Sequence, residues 1–329
     1  MRLLKSLVIA SAATTGCLRF ALRRKSRPPM ILMYHGVTEK RVHLGLQNYE
    51  GKHLARKNFV EHLHILRRSC RTISLQEMVE GLHAGEDLNN TVALTFDDGY
   101  ENNFLVAAPL LKDFKLPATF FLATGLIGQD RFIWPDIVEI ALDRTEQKEL
   151  RYPGLETAMP LGSLKEKQQT LVALKKLLKQ QPMENFTEIL ENLVQRLDVR
   201  LEVPHGDYRF MNWDQVRNLV ATGFEVGAHT VTHPILSNIP FESAAKEVLE
   251  SRDAIINEAG QCSLTFCYPN GKASDYTTEL QDFCKKHFTA ALSTNRGVAR
   301  LSEITELKRL SPPDNNFGRS LEWTLLVDH

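Results

Sequence analysis

Four short apolar runs in this chain each stop at a cluster of polar, reactive residues. Met30-Ile31-Leu32-Met33-Tyr34 leads into His35-Gly36, and Val92-Ala93-Leu94-Thr95-Phe96 into Asp97-Asp98-Gly99. Phe224-Glu225-Val226-Gly227-Ala228 leads into His229-Thr230-Val231-Thr232-His233-Pro234, and Leu264-Thr265-Phe266-Cys267-Tyr268 into Pro269-Asn270-Gly271. Short apolar runs ending in turn residues predict buried strands. Helical spacing appears between them. Phe59, Val60, Leu63 and Leu66 mark a helix over 57–70, and Ser74 is a polar N-cap for a second one. A helix over 101–114 precedes a strand at Ala118-Thr119-Phe120-Phe121-Leu122-Ala123. The same alternation returns over 213–230 and 241–268, and a further strand is expected from Phe288 to Ser293. Strand–helix–strand order of this kind builds a parallel α/β fold, and an α/β barrel gathers its active site at the C-terminal ends of its strands.

The texture changes between about 140 and 210, where Lys, Glu, Gln and Leu dominate. Leu171, Leu174, Leu177 and Leu178, then Ile189, Leu190, Leu193 and Leu197, keep helical spacing, with at most a strand near Tyr152. This stretch reads as a helical insert or lid within a single domain of residues 29–329. Residues 1–28 stand apart. Met1-Arg2-Leu3-Leu4-Lys5 followed by Leu7 to Cys17 fits a signal peptide. Arg19, Arg23, Arg24, Lys25 and Arg27 instead favour a basic amphipathic helix over 3–25 lying on a membrane surface. The apolar stretch falls short of the ~20 residues that span a bilayer. A cytoplasmic or inner-membrane-associated location is expected, with the periplasm or cell envelope as the alternative.

Composition narrows the classes. Of 329 residues, 43% are hydrophobic, as in an ordinary globular chain. Lys+Arg and Asp+Glu both total 40, so no basic excess points to nucleic acid. The five cysteines include no CxxC pair, so neither a disulfide framework nor a thiolate zinc site is expected.

The chemistry lies at the strand ends. Consecutive residues on a strand point to opposite faces, so Asp97 and Asp98 share a site only where the strand turns, and Gly99 supplies that turn. His229 and His233 are four apart, a spacing that brings two imidazoles to one side in a helical turn, although Pro234 limits any helix there. With Asp98 they form a two-histidine, one-carboxylate set, which leaves a coordination position for water on a catalytic metal. Asp97 is then placed as a base, and His35, beside Gly36, as an acid of near-neutral pKa. Trp134 either stacks on a sugar ring or packs the insert onto the barrel.

Thr95-Phe96-Asp97-Asp98-Gly99-Tyr100 and His229-Thr230-Val231-Thr232-His233-Pro234 resemble the first two motifs of the polysaccharide deacetylases, the family with NodB homology (carbohydrate esterase family 4). Trp213-Asp214-Gln215-Val216 and Gly223 agree, and the resemblance covers Met30 to about Leu310. It implies a distorted (β/α)7 barrel carrying a helical insertion. It also implies Asp97 as catalytic base and Asp98, His229 and His233 as ligands of a divalent metal, zinc first, with cobalt, nickel or iron as alternatives. Where many members carry arginine, proline and an aromatic, this chain has Cys267-Tyr268-Pro269-Asn270-Gly271, leaving Tyr268 and a backbone N–H near Asn270 as candidates for substrate or oxyanion. The arginine that braces the base is absent from that turn, and Arg309 is the candidate substitute. The late leucine–x–histidine motif is also missing, with Asp328-His329 a poor stand-in. Tyr34-His35-Gly36-Val37 resembles the N-terminal motif of the branch that includes poly-N-acetylglucosamine deacetylases, where the N-terminal histidine takes the acid's place.

The expected activity is metal-dependent removal of N-acetyl groups from amino sugars of a polysaccharide or glycan precursor. One alternative is a deacetylase or deformylase of a lipid-linked sugar, with membrane contact through residues 3–25. The other is an inactive sugar-binding relative that has lost the bracing arginine.

Overall fold

Seven parallel strands close into a barrel. The structure, a computed structural model, describes residues 22, 25–40, 45–313 and 320–327. The strands are β1 (Met30–Tyr34), β2 (Thr91–Phe96), β3 (Thr119–Leu122), β4 (Glu225–Ala228), β5 (Thr265–Cys267), β6 (Ala290–Arg296) and β7 (Leu307–Arg309), paired in that order. Closure comes from a ladder between β1 and the residue after β7. Leu310 N–H donates to the Ile31 carbonyl and Met33 N–H to the Leu310 carbonyl, both at 2.9 Å. Register slips between β6 and β7, where Leu292 pairs Leu307 but Arg296 pairs Arg309. The architecture is the distorted (β/α)7 barrel.

Helices α1 (Arg56–Ser69), α2 (Leu75–Ala84) and α3 (Ala108–Phe114) lie between the first strands. Ser74 caps α2, accepting from Glu77 N–H while the Glu77 carboxylate accepts from Ser74 N–H. The helix expected from 101 begins as a π turn over Asn103–Ala107. Pro109 explains this, since it has no N–H to bond the carbonyl four residues back.

Strand alternation sorts the barrel residues. Ile31, Ala93, Phe121, Cys267, Leu292 and Leu307 cluster together although they come from six strands, which only the barrel interior permits. Leu32, Leu94, Phe96, Phe120, Val226, Phe266 and Tyr268 face the surrounding helices instead. The odd-numbered residues that continue the strands, Asp97, His229 and Arg309, therefore point inward at the barrel's mouth.

Between β3 and β4 the chain passes through α4 (Trp134–Arg144), α5 (Leu164–Leu178), α6 (Phe186–Arg196) and α7 (Trp213–Ala221). A two-stranded antiparallel ladder, Glu149–Leu150 with Met159–Pro160, sits near Tyr152. Leu171, Leu174 and Leu178 of α5 and Leu190 and Leu193 of α6 join Trp134, Val138 and Leu142 of α4 in a core separate from the barrel's. Helices α8 (Phe241–Ala259) and α9 (Thr278–His287) complete the wall, and α10 (Leu321–Val327) follows β7. Cys70, Cys262, Cys267 and Cys284 are free thiols. The expectations for residues 3–25 lie outside the described residues except at Leu22 and Lys25, and Asp328-His329 lies outside them altogether. No helix among the described residues is long and apolar enough to cross a membrane.

Candidate active site

Asp98 turns the chain one residue earlier than glycine spacing suggested. Its φ is 75°, in the left-handed region, and Gly99 follows at 90°. The strand thus ends with Asp97 inward and folds Asp98 back beside it. Asp97 N–H donates to the Tyr34 carbonyl at 3.0 Å and the Asp98 carbonyl accepts from Ala123 at 3.2 Å, so both neighbouring strands hold the turn. The histidine loop uses the same device. Thr230 and His233 have φ of 66° and 58°, and Glu247 of α8 accepts from the Val231 and Thr232 N–H groups. The two imidazoles therefore meet through left-handed turns after β4, not through a helical turn. Gly125 allows the loop to pack this closely, because a Cβ there would stand 2.8 Å from the Val231 carbonyl oxygen.

Both histidines present Nε2 to Asp98 Oδ1 at 3.3 Å, and all three side chains are buried. The His229 Nδ1–H donates to the Cys267 carbonyl at 2.7 Å, which fixes the tautomer that leaves Nε2 a free lone pair. Asp98, His229 and His233 offer ligand atoms within 4.8 Å of one another. A nitrogen–nitrogen–oxygen set with its tautomer locked fits a divalent metal such as zinc. A second group, Asp97, His229 and Cys267, meets the same distance limit, but the Cys267 thiol is pushed up by burial and remains a poor ligand. Burial pushes the Asp98 carboxyl up, but the His229 and His233 side chains set against it outweigh burial and hold the group well below the ordinary range.

Asp97 faces a different partner. Arg309 Nη1 donates to Oδ1 at 2.8 Å and Nη2 to Oδ2 at 2.7 Å, a bidentate pair in which both residues are buried. Burial alone raises this carboxyl, yet the guanidinium charge and its hydrogen bonds bring the pKa below the usual value. Arg309 is itself tied to the Ser293 carbonyl at 2.8 Å and Thr95 Oγ1 at 3.1 Å. The missing arginine of the Pro269 turn therefore leaves no unbraced aspartate, and the observation behind an inactive binding protein falls away.

His35 follows β1 at the same mouth, half-buried. Burial lowers its pKa, the Asp98 and Asp97 charges pull it up, and Lys52 and Arg309 push it down again. Gly36 behind it makes room for the His53 ring, which a Cβ would strike at 2.1 Å from Nδ1.

Lys52 and Asp136, residues that no motif marked, form a salt bridge in the wall of the site. Tyr100 of the Asp-Asp-Gly-Tyr turn donates to Asp136 at 2.8 Å and accepts from Lys52 at 3.2 Å. Charges on Asp136, Glu139 and Asp98 keep Lys52 protonated despite burial. Neither residue carried a local signal, since Lys52 sits in irregular chain and Asp136 resembles any acid in a helix's first turn.

Two expected substrate contacts take other positions. Tyr268 is fully buried on the helix-facing side of β5, stacked on Tyr276 at 4.1 Å, and its hydroxyl donates to the Thr305 carbonyl at 3.0 Å. Its backbone N–H is spent on Leu292 at 3.1 Å. Alternation explains the outcome, because Cys267 points inward and its neighbour must point out. Trp134 is 6% exposed and meets Phe186 edge-on at 5.8 Å, so it packs the insert and presents no free face for a sugar. Asn270 does lie in a tight turn, with φ 58° and its carbonyl accepting from Thr294 Oγ1 at 2.7 Å. Its backbone N–H donates to no partner among the described hydrogen bonds.

The family profile described as polysaccharide deacetylase matches residues 84–287. The chain belongs to the polysaccharide deacetylase family. That span omits β1 and β7, so His35 and Arg309 reach the polysaccharide deacetylase site through barrel closure. Among curated proteins, the poly-beta-1,6-N-acetyl-D-glucosamine N-deacetylase of Staphylococcus aureus strain MSSA476 is 31% identical over 86 residues. That alignment spans only 26% of this chain and 28% of the relative. Of solved structures, Streptococcus pyogenes deacetylase PplD in complex with acetate superposes with a TM-score of 0.59 at 18% identity, covering 93% of this chain and all of that one. IcaB from Ammonifex degensii gives 0.58 at 17%, covering 91% and 97%. At such identities these two establish the shared fold.

Proposed function

We propose that this polysaccharide deacetylase removes N-acetyl groups from amino sugars of a glycan by metal-dependent hydrolysis. The observation that carries the reading is the split of two adjacent carboxylates. Asp98 is shared by two imidazoles, and Asp97, next along the chain, is held by a guanidinium.

In this reading Asp98, His229 and His233 hold the metal, which when bound lowers the pKa of water and polarises a carbonyl. Asp97 takes the proton from the attacking water as its oxygen bonds to the acetyl carbon. The Arg309 pair keeps that carboxylate ionised and fixes both its oxygens, so it meets the water in one orientation. The Asn270 N–H supports the negative oxygen that develops on the acetyl carbonyl. His35 then donates a proton to the sugar nitrogen as the carbon–nitrogen bond breaks, giving acetate and a free amine. The activity that names the Staphylococcus aureus relative, on poly-beta-1,6-N-acetyl-D-glucosamine, makes N-acetylglucosamine polymers the first substrates to try.

The test is acetate release from N-acetylglucosamine oligomers by the full chain, after chelation and again after adding zinc. Activity that vanishes with the chelator and returns with zinc is expected. Full activity after complete removal of metal would refute the reading.

A further inference from the structure

The end of the barrel opposite the active site carries an excess of positive charge, although the chain as a whole is neutral. In a parallel barrel each helix returns the chain from the mouth to the starting end of the next strand, so its last turn lies there. Arg67 stands in the last turn of α1, and Arg71 opens a short strand that pairs in parallel with the start of β2. Lys112 and Lys115 end α3 just before β3, and Lys285 and Lys286 end α9 just before β6. All six are exposed, and no ion pair among the described residues holds any of them. Glu86, Asp87 and Asp113 offset part of this charge, whereas Glu258 is taken by Arg217 and Glu303 by Lys308. Once β7 closes on β1, the starts of β6, β1, β2 and β3 lie along one arc of this end.

The N-terminal segment joins the fold at the middle of that arc. Arg27 Nη2 donates to the Ser69 carbonyl at the end of α1, and Arg27 N–H to Asn90 Oδ1 at 3.2 Å, just before β2. Leu22 is buried in the same apolar cluster as Leu325 and Leu326 of α10. Ahead of these anchored residues, Leu7 to Cys17 is uncharged, and residues 1–24 contain arginines and a lysine but no acid. Leu264, exposed just before β5, adds an apolar side chain to the same end. Binding to an anionic lipid surface uses cationic attraction and apolar contact together. A polyanion such as nucleic acid would use the charge and leave Leu7 to Cys17 without a role.

We propose that this end of the barrel, together with residues 1–24, docks on a bilayer surface of anionic lipid, with the active-site mouth facing away. The 14 residues of α1 run from the mouth end to the basic end, which sets the mouth about 20 Å off that surface. The acetylated sugar then belongs to a chain that extends into solvent, not to a lipid headgroup of the same bilayer. That last step rests on the deacetylase reading above, and the docking does not.

The test is co-sedimentation of the full chain with phosphatidylcholine vesicles, with and without phosphatidylglycerol. Binding is expected to need the anionic lipid and to weaken as salt screens it. Arg67→Gln, Lys115→Gln and Lys286→Gln together are expected to weaken it about a hundredfold, at roughly fivefold per cation, with the circular dichroism unchanged. Binding that the triple variant keeps in full would leave attachment to residues 1–24 alone and overturn the basic face. Equal binding to neutral vesicles, or tighter binding to duplex DNA than to anionic vesicles, would overturn the lipid assignment. Orientation is read by lysine acetylation and mass spectrometry. On vesicles Lys115 and Lys286 are expected to be protected, while Lys57 and Lys272 at the mouth end label as they do in solution. Protection of Lys57 and Lys272 instead would put the mouth on the bilayer and overturn the orientation. None of these readouts uses turnover, so failure of the deacetylase reading would show separately.

Discussion

The barrel wall and the insert wall of the site follow opposite rules. On the barrel wall the two carboxylates are matched before any ligand arrives. Asp97 is held by Arg309, Asp98 by two imidazoles, and His229 Nδ1 by the Cys267 carbonyl. On the insert wall the surface is apolar, and the Trp134 indole nitrogen keeps no hydrogen-bond partner. Chemistry gains from groups that need no reorganisation at the moment of reaction. Recognition instead leaves hydrogen-bonding capacity for the ligand to fill. Variants on the two walls are therefore expected to move different observables.

The largest effect is expected on the barrel wall. Asp97→Asn keeps the size of the side chain but removes the base, so kcat is expected to fall about a thousandfold, within the usual range for general-base loss. Metal content measured on the same sample is expected to stay near one equivalent, because Asp97 is outside the ligand set. An equal fall in metal content would instead place Asp97 among the ligands.

Arg309→Gln comes next. It leaves a buried carboxylate uncompensated, at a cost of roughly 3–5 kcal/mol in denaturant unfolding. The pH profile carries the sharper test. Arg309 lowers the pKa of both Asp97 and His35, so its loss raises both, and the acid and alkaline limbs are each expected to move to higher pH. Lys52→Met separates the two. Lys52 acts on His35 and is not among the main influences on Asp97, so its loss raises His35 and moves only the alkaline limb upward. A Lys52→Met profile in which both limbs move would remove His35 as the group behind the alkaline limb.

Much of this arrangement can be read from the residues, and the gaps have physical causes. Strands buried on both faces are continuous apolar runs, so β1, β2, β3 and β5 show directly in the sequence. Asp97, Asp98, His229 and His233 stand at strand ends, where position along the chain and position in the barrel coincide. Arg309 is harder, because it lies 212 residues from Asp97 and meets it only when β7 closes on β1. Lys52 and Asp136 are harder still, coming from irregular chain and a helix start that carry no periodic signal. Tyr268 shows the reverse failure. A turn rich in recognisable residues drew attention to it, while the two-residue period of β5 turned its side chain away from the site.

That turn gives the smallest and most discriminating prediction. Tyr268→Phe removes one hydroxyl that donates to the Thr305 carbonyl at 3.0 Å and leaves the ring stacked on Tyr276. A single neutral hydrogen bond of this kind contributes about 1 kcal/mol, so unfolding is expected to shift by that much. The ring's stacking partner and the outward direction of the side chain are unchanged, and no atom of the catalytic set loses a contact. Steady-state kcat and KM on N-acetylglucosamine oligomers are therefore expected to match those of the unsubstituted chain. A tenfold loss of kcat with stability intact would mean that the hydroxyl acts on the reacting groups. The barrel wall would then extend to the helix-facing side of β5, and strand alternation would no longer mark its edge.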